Sequence, residues 1–142
     1  MKIAIGSDHA GFELKEKIQQ YLKSKKIEVA DYGCHDMNSV DYPDVIHPVA
    51  SEVSNGSFPL GIILCGSGNG AAMTANKHKN VRCALCWNTE LAELSRKHNN
   101  ANILSIPARF VSENIAMNMI DAFLFTEFEG GRHQNRVNKI EL

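Results

Sequence analysis

The sequence has no long hydrophobic run, since no stretch approaches the about 20 consecutive apolar residues that cross a membrane. It also has no excess charge of either sign, because 15 Lys and Arg residues face 16 Asp and Glu residues, for a net charge of −1. No global field therefore attracts nucleic acid or a membrane, and we expect neither as a partner. The first residues enter a strand-like pattern without the apolar core of a signal peptide, so we expect a soluble, cytoplasmic protein.

Cysteine is scarce, with four residues in the chain. In the cytoplasm these thiols stay reduced, which disfavours disulfides. Cys83 and Cys86 are three residues apart on a predicted strand and so point to opposite faces, which argues against a redox or zinc pair and for two core side chains. Cys34 has no visible partner, and we expect no metal site. Only Cys65 stands in a context that indicates chemistry.

What the sequence does have is a regular alternation of apolar runs and amphipathic stretches, with 44% hydrophobic residues in 142. This alternation predicts a single domain over residues 1–142. Its fold class is α/β, a three-layer αβα, Rossmann-like sandwich with a five-stranded parallel sheet, followed from residue 130 by a C-terminal helical tail. The predicted strands are residues 3–5, 27–32, 60–65, 81–87 and 103–106, with 60–65 central; the predicted helices are residues 14–22, 49–53, 71–77, 89–98 and 112–125, the second after a polar segment at 34–47.

In open parallel sheets, ligands bind beyond the carboxyl ends of the strands. The loop after the first strand, Gly6-Ser-Asp-His-Ala-Gly11, places Asp8 and His9 at that edge. Asp8 has two interpretations, a helix cap or a group that contacts the ligand. The neighbouring imidazole of His9 favours the second.

The loop after the third strand is the glycine-rich run Cys65-Gly-Ser-Gly-Asn-Gly70. Its alternate glycines allow a tight turn in which several N–H groups converge on an oxygen anion, although an ordinary glycine turn is the simpler alternative. The loop does not match the dinucleotide-binding motif, the Walker motif or the phosphate-cradling cysteine motif. The last two require a residue other than the Ala71 that follows the loop. Beside such donors, Cys65 is a candidate base or nucleophile, whereas a packed core cysteine is the alternative.

His98 closes the helix that begins near Thr89. A helix C-terminus favours the protonated ring of a general acid, while a structural histidine remains the alternative. That helix runs away from the ligand edge, so its ~10 residues place His98 roughly 15 Å from Cys65. If both residues are catalytic, a second subunit must complete the site.

Three arginines are candidate phosphate ligands. Arg132 and Arg136 are four residues apart and share a face if the tail is helical, which suits a two-pronged clamp. A solvated basic tail is the alternative. Arg109, after the last strand, is a weaker third candidate.

These features together resemble the ribose-5-phosphate isomerase B family, in the group that includes galactose-6-phosphate isomerase subunits. The resemblance covers essentially the whole chain. It rests on residues 6–11, Asp41-Tyr-Pro43, residues 65–70, Ala75-Asn-Lys77, Ser95-Arg-Lys-His-Asn99 and Gly130-Gly-Arg-His-Gln-Asn-Arg136.

The resemblance implies an aldose–ketose isomerase of the pentose phosphate pathway that needs no cofactor and forms a homodimer or homotetramer with shared active sites. It implies that Cys65 moves a proton between C2 and C1 of a sugar phosphate, with Ser67 as a relay to the sulfur, and that His98 assists ring opening. The other implied substrate contacts are Asp8 and Tyr42 at the sugar, Gly66, Ser67, Gly68, Asn69 and Gly70 at the enediolate oxygens, Asn99 at a sugar oxygen, and His9, Arg109, Arg132 and Arg136 at the phosphate.

Two alternatives to ribose 5-phosphate isomerisation stay open. The first is a hexose 6-phosphate isomerase for allose or galactose 6-phosphate, because the sequence alone does not give the length of the substrate pocket. The second is a non-catalytic sugar-phosphate-binding regulator, which the presence of both Cys65 and His98 disfavours. Many relatives have Thr in place of Ser67, and another branch has a Glu base where Ala71 stands, which leaves Cys65 as the only obvious base.

Overall fold

The computed structural model describes residues 1–142 and contains five strands and six helices, with a short 3-10 turn at His9–Gly11. None of the helices combines the length and the apolar character that a membrane span needs. The strands are β1 (Lys2–Ser7), β2 (Glu28–Asp31), β3 (Leu60–Cys65), β4 (Cys83–Leu85) and β5 (Ile103–Pro107), and the helices are α1 (Phe12–Ser24), α2 (Tyr42–Ser54), α3 (Asn69–Ala75), α4 (Thr89–Asn99), α5 (Glu113–Phe125) and α6 (Arg132–Asn138).

All five strands are parallel and lie in the order β2-β1-β3-β5-β4. The predicted fold class and the central place of β3 are therefore confirmed. The last two strands are exchanged relative to their order in the chain, so β5 lies between β3 and β4. Burial agrees with this order, because every residue of β5 is buried whereas the edge strand β4 is half-buried.

Alternate side chains of each strand enter two separate cores. In β3, Ile62 and Leu64 pack in a core with residues of α1, α4 and α5, while Ile63 and Cys65 pack in a second core with residues of α2 and α3. The sheet is thus covered on both faces, and Cys65 faces the α2 and α3 side.

The Cys83 and Cys86 side chains lie on opposite sides of the sheet, as predicted. Cys86 is buried in the first core and Cys83 is half-buried against the second. Burial raises the pKa of Cys83, raises that of Cys86 to about 11, and also raises that of Cys34. These three thiols are therefore poorly suited to act as thiolate bases.

Three predicted boundaries were wrong. Helix α2 begins at Tyr42, inside the segment predicted to be an irregular polar loop. Its first turn accommodates a proline because the N–H groups of a first turn have no partner within the helix, so the N–H that proline lacks is not missed. Helix α3 begins at Asn69 instead of residue 71, since Gly68 adopts a left-handed conformation just before it. Strand β4 has three residues instead of seven because only these pair with β5.

The strand order reverses beside β1. From β1 the chain passes to β2 on one side of the sheet, whereas β3, β5 and β4 follow on the other. A crevice therefore opens at the carboxyl ends of β1 and β3, which is where ligands bind in such sheets. The loops that follow these two strands are the ones that contain Asp8 and Cys65.

Candidate active site

The loops after β1 and β3 contact each other directly. The backbone N–H of Asp8 donates to the carbonyl oxygen of Leu64 over 3.3 Å. A Cβ on Gly11 would lie 2.7 Å from the Leu64 Cβ, so only glycine permits this close approach of the chain to β3. The structure thus joins the two loops that the sequence singled out.

Asp8 is a helix cap. Its Oδ1 accepts hydrogen bonds from the N–H groups of Ala10 and Gly11 at 3.0 and 3.2 Å. The capping interpretation is therefore correct, while contact of Asp8 with a sugar stays a prediction. The adjacent His9 ring accepts a hydrogen bond at Nδ1 from the Val40 N–H over 3.2 Å. In the neutral ring this places the proton on Nε2, which remains available as a donor.

The Cys65 side chain is 6% exposed and stands at the end of β3, immediately before the glycine loop. No hydrogen bond within the protein uses the backbone N–H groups of Gly66, Ser67, Gly68 or Gly70. Four unused donors in five consecutive residues beside a thiol are the arrangement that an oxyanion needs.

Two contacts hold this loop in place. The Ser105 hydroxyl donates to the carbonyl oxygen of Gly68 over 2.8 Å, and a Cβ on Gly68 would lie 2.5 Å from the Leu85 Cδ1. The φ of Gly68 is +75°, so both its backbone conformation and its surroundings require glycine.

Tyr42 and Arg109 flank the loop on two sides. The Tyr42 ring lies against Gly70, where an added Cβ would come within 2.4 Å of the ring Cζ. Arg109 donates its backbone N–H to the Gly66 carbonyl oxygen over 3.0 Å, and its guanidinium lies beside the same glycine. Both side chains thus border the space above the unused N–H groups.

The predicted bond between Ser67 and the sulfur is absent from this structure. The exposed Ser67 hydroxyl instead accepts from the N–H of Asn69 over 3.3 Å. A hydroxyl two residues before an N–H forms this local bond readily, so it competes with a bond to the sulfur. Asn69 itself is exposed at the start of α3.

The remaining predicted residues form a second group at the far end of α4. This helix starts at Thr89 after β4 and its 11 residues span about 16 Å. His98 and Asn99 close it, and Asn99 lines a cavity with Arg82 and Cys83 at the amino end of β4.

Arg132 and Arg136 lie one turn apart on α6 and are exposed. The predicted helical tail is therefore confirmed, and the two arginines share a face. Helix α6 packs against α4, so they belong to the same end of the molecule as His98. No hydrogen bond or ion pair links this second group to the residues around Cys65.

His98 is not a buried core histidine, since 40% of its side chain is exposed. Its ring stacks on that of His133, with centroids 4.2 Å apart, and its Nε2 lies 3.5 Å from the Glu129 Oε1. Burial, followed by the nearby His98 and Arg132, lowers the pKa of His133. Sequence reasoning did not select Glu129 or His133, although the two glycines between them indicate a turn that brings them together.

The fold and this geometry define an α/β protein with unused backbone N–H donors beside a buried thiol at the switch point of a parallel sheet. A family model described as Ribose/Galactose Isomerase matches residues 3–140. The chain therefore belongs to the ribose/galactose isomerase family and is an isomerase.

Several relatives share almost the whole chain. A ribose 5-phosphate isomerase of Thermotoga maritima is 48% identical in sequence, with a TM-score of 0.97 over 99% of this chain and 97% of that one. Ribose-5-phosphate isomerase B of Mycoplasma genitalium, solved with bound ribulose-5-phosphate, is 44% identical with a TM-score of 0.95, over 98% and 93% of the two chains. Ribose-5-phosphate isomerase B of Escherichia coli is 41% identical over 139 residues, 98% of this chain and 93% of that one.

Proposed function

We propose that this protein interconverts D-ribose 5-phosphate and D-ribulose 5-phosphate through an enediolate. The observation that carries the proposal is the run of unused N–H donors beside Cys65. A proton next to a carbonyl is only weakly acidic, so its removal requires donors that stabilise the resulting oxyanion. The named activity of relatives that share almost the whole chain supports the choice of substrate.

Cys65 is the proposed base. Its thiolate takes the proton from C2 of the open-chain aldose, the C–H electrons form a C1=C2 double bond, and the C1 carbonyl oxygen becomes an oxyanion. The donors of residues 66–70 hold the enediolate oxygens, and Asp8 and Tyr42 border the sugar. The proton of the C2 hydroxyl passes to the C1 oxygen, the thiol returns its proton to C1, and the carbonyl forms at C2, so both oxygens end neutral and the thiolate is regenerated. Ser67 reaches the sulfur as a relay only after it leaves Asn69.

His98 is the proposed acid and base for opening the furanose ring, with Asn99 at a sugar oxygen. The phosphate is assigned to His9, Arg109, Arg132 and Arg136, whose side chains offer donors at the two ends of the molecule. Because His98 and both tail arginines lie far from Cys65 along α4, one chain holds only part of this set.

A second copy of the chain is therefore part of the proposal. Large apolar side chains are exposed around the glycine loop: Met73, Trp87 and Phe110 are 67%, 57% and 74% exposed. Trp87 and Phe110 line a cavity of about 330 Å³ together with Ser67 and Asn69. A partner chain that covers this rim would exclude water from the site and bring its own His98 to Cys65.

Replacement of the base tests the proposal. We expect Cys65→Ser to lose nearly all kcat, at least about 10²-fold given the usual contribution of a positioned base, while ribose 5-phosphate still binds. Isomerisation is followed by the absorbance of the ketose, and binding by calorimetry. Cys83→Ser is the matched control, because it changes a half-buried thiol outside the loop and should leave kcat unchanged. Wild-type turnover in Cys65→Ser would contradict the assignment.

The family description also names galactose, which keeps a hexose 6-phosphate isomerase as the second candidate. Values of kcat/KM for ribose 5-phosphate, allose 6-phosphate and galactose 6-phosphate decide between them. The proposal requires the ribose substrate to have the highest value.

A further inference from the structure

His98, Glu129 and His133 form a compact cluster, here named the His98 cluster. The Glu129 Oε1 lies 3.5 Å from the His98 Nε2 and 3.8 Å from the His133 Nε2. One possible ligand atom of each side chain lies within 4.8 Å of the other two. The cluster thus brings two imidazoles and a carboxylate to one point.

Local structure fixes this arrangement. The Glu129 N–H donates to the carbonyl oxygen of Lys97 over 3.1 Å, which ties the segment after α5 to the end of α4. Gly130 and Gly131 follow with φ values of +68° and +54°, and the His133 N–H then closes on the Gly130 carbonyl oxygen over 3.0 Å. This turn directs residues 129 and 133 to the same side, where His98 lies.

Two histidines and one glutamate are a ligand set of zinc sites that keep an open fourth position. With metal–ligand bonds of about 2.1 Å, neighbouring ligand atoms of a tetrahedral site are about 3.4 Å apart. The two measured separations from Glu129 are close to this value. The histidine rings are nearly parallel, at 13°, so one must rotate to aim its lone pair at the ion. Partial exposure of His98 and Glu129 leaves room for that rotation.

The charges near the cluster are mixed. Glu129 contributes one negative charge, whereas Arg132 and Arg136 on the same helix as His133 oppose a cation. Both arginines are exposed, so solvent and salt screen them. We therefore expect binding in the micromolar range, not the tight binding of a structural zinc site.

We propose that the His98 cluster binds Zn²⁺ and that the bound ion inhibits the enzyme. A metal on the Nε2 of His98 occupies the lone pair that a proton acceptor needs and leaves no N–H at that atom for an acid. The inhibition rests on the proposed role of His98, whereas the binding does not. The ion is thus an inhibitor and not a cofactor.

Calorimetric titration with zinc chloride tests the site directly. We expect one Zn²⁺ per chain. Glu129→Gln and His133→Gln should each bind the ion at least about tenfold more weakly, because even the loss of a group that only orients a metal ligand lowers the affinity by that factor. The same ion should inhibit isomerisation by the wild-type protein, and EDTA should restore the activity. Circular dichroism checks that each variant is folded.

Two other places in the chain must be distinguished from the cluster. The first is the exposed pair of His47 and His78, whose Nδ1 and Nε2 lie 2.7 Å apart and could both bind zinc. The second is the Cys65 thiol, which is a single zinc ligand. His47→Gln and Cys65→Ser should therefore bind Zn²⁺ as the wild type does. Loss of binding in either of them, or unchanged binding in His133→Gln, overturns the proposal. Binding that requires Glu129 and His133 but leaves turnover unchanged supports the metal site and contradicts the acid role of His98.

Discussion

At the scale of the residue, Gly56 and Gly68 share a backbone conformation but not an environment. Their φ values are +82° and +75°. An added Cβ meets nothing within 4 Å at Gly56, whereas at Gly68 it would lie 2.5 Å from the Leu85 Cδ1. The pair separates the cost of a left-handed backbone from the cost of overpacking the loop.

We expect Gly56→Ala to lower the free energy of unfolding by about 1 kcal/mol, the cost of the left-handed backbone. Gly68→Ala should lose about 1–3 kcal/mol more, because the methyl group displaces Leu85 and the loop. Urea unfolding measures both variants. Activity of the folded protein should fall only in Gly68→Ala, and equal kcat values for the two variants would contradict a catalytic role of the loop geometry.

Lys15 is another residue whose environment decides its role. Its side chain is fully buried, and its Nζ donates to the Asp31 Oδ2 over 2.6 Å. Burial raises the pKa of Asp31, but hydrogen bonds from Lys15 and from the Gly33 N–H outweigh it, so the pKa is lowered. Because the folded state lowers this pKa, the stabilisation is present above the unfolded value of about 3.9 and is lost as pH falls through the folded value.

Lys15→Met should therefore destabilise the protein by about 3 kcal/mol at neutral pH, since it leaves a carboxylate with only 20% of its side chain exposed and without its lysine partner. The difference from the wild type should shrink as pH falls below about 4. Lys17→Met, on the same helix, breaks an ion pair whose side chains are both 54% exposed and should change little. A pH-independent difference between Lys15→Met and the wild type would contradict the ion-pair explanation.

At the scale of the element, helix α6 presents two arginines on one face. Neither is in an ion pair with a carboxylate of the same chain, so both guanidinium groups are available to an anion. A charged hydrogen bond contributes about 1.5–3 kcal/mol, so Arg132→Ala and Arg136→Ala should each raise KM about ten- to hundredfold. Lys139→Ala, just after the same helix, is the control and should leave KM unchanged. Equal KM values in all three variants would exclude the proposed phosphate clamp.

Helix starts also differ in how they satisfy their first N–H groups. Helices α4 and α5 are capped by the side chains of Asn88 and Ser112. Helix α3 has Gly68 at this position and no side-chain cap. The loop before α3 therefore keeps its donors free, at the expense of the roughly 1 kcal/mol that a cap contributes.

At the scale of the whole molecule, the proposed active site is divided between two ends of the chain. Mixing two inactive variants tests this. Cys65→Ser and His98→Ala, unfolded and refolded together in equal amounts, should regain about one quarter of the wild-type activity per subunit, because half of randomly formed dimers are mixed and each has one intact site of two. Each variant refolded alone is the control. No recovery, although mixed dimers form, would place both residues in one site of a single chain.

Much of the fold was predictable because short apolar runs and helical spacing are local properties. The five strands and the central place of β3 follow from such patterns, whereas the sequence left open whether Asp8 caps a helix, as it does in the structure. The early start of α2 at Tyr42 was less predictable, because the first turn lies in a polar segment and contains a proline, which is typical of loops. The contact of Tyr42 with Gly70 was not predictable either, since it joins residues distant in the chain.

The sequence by itself determined the α/β class and the glycine loop after Cys65, because hydrophobic periodicity and glycine content act within a few residues. Only the tertiary structure decided that β5 lies between β3 and β4, that the N–H groups of residues 66, 67, 68 and 70 have no acceptor in the protein, and that His98 lies beside Glu129 and His133. These features depend on which distant segments pack together, and no local pattern specifies that packing.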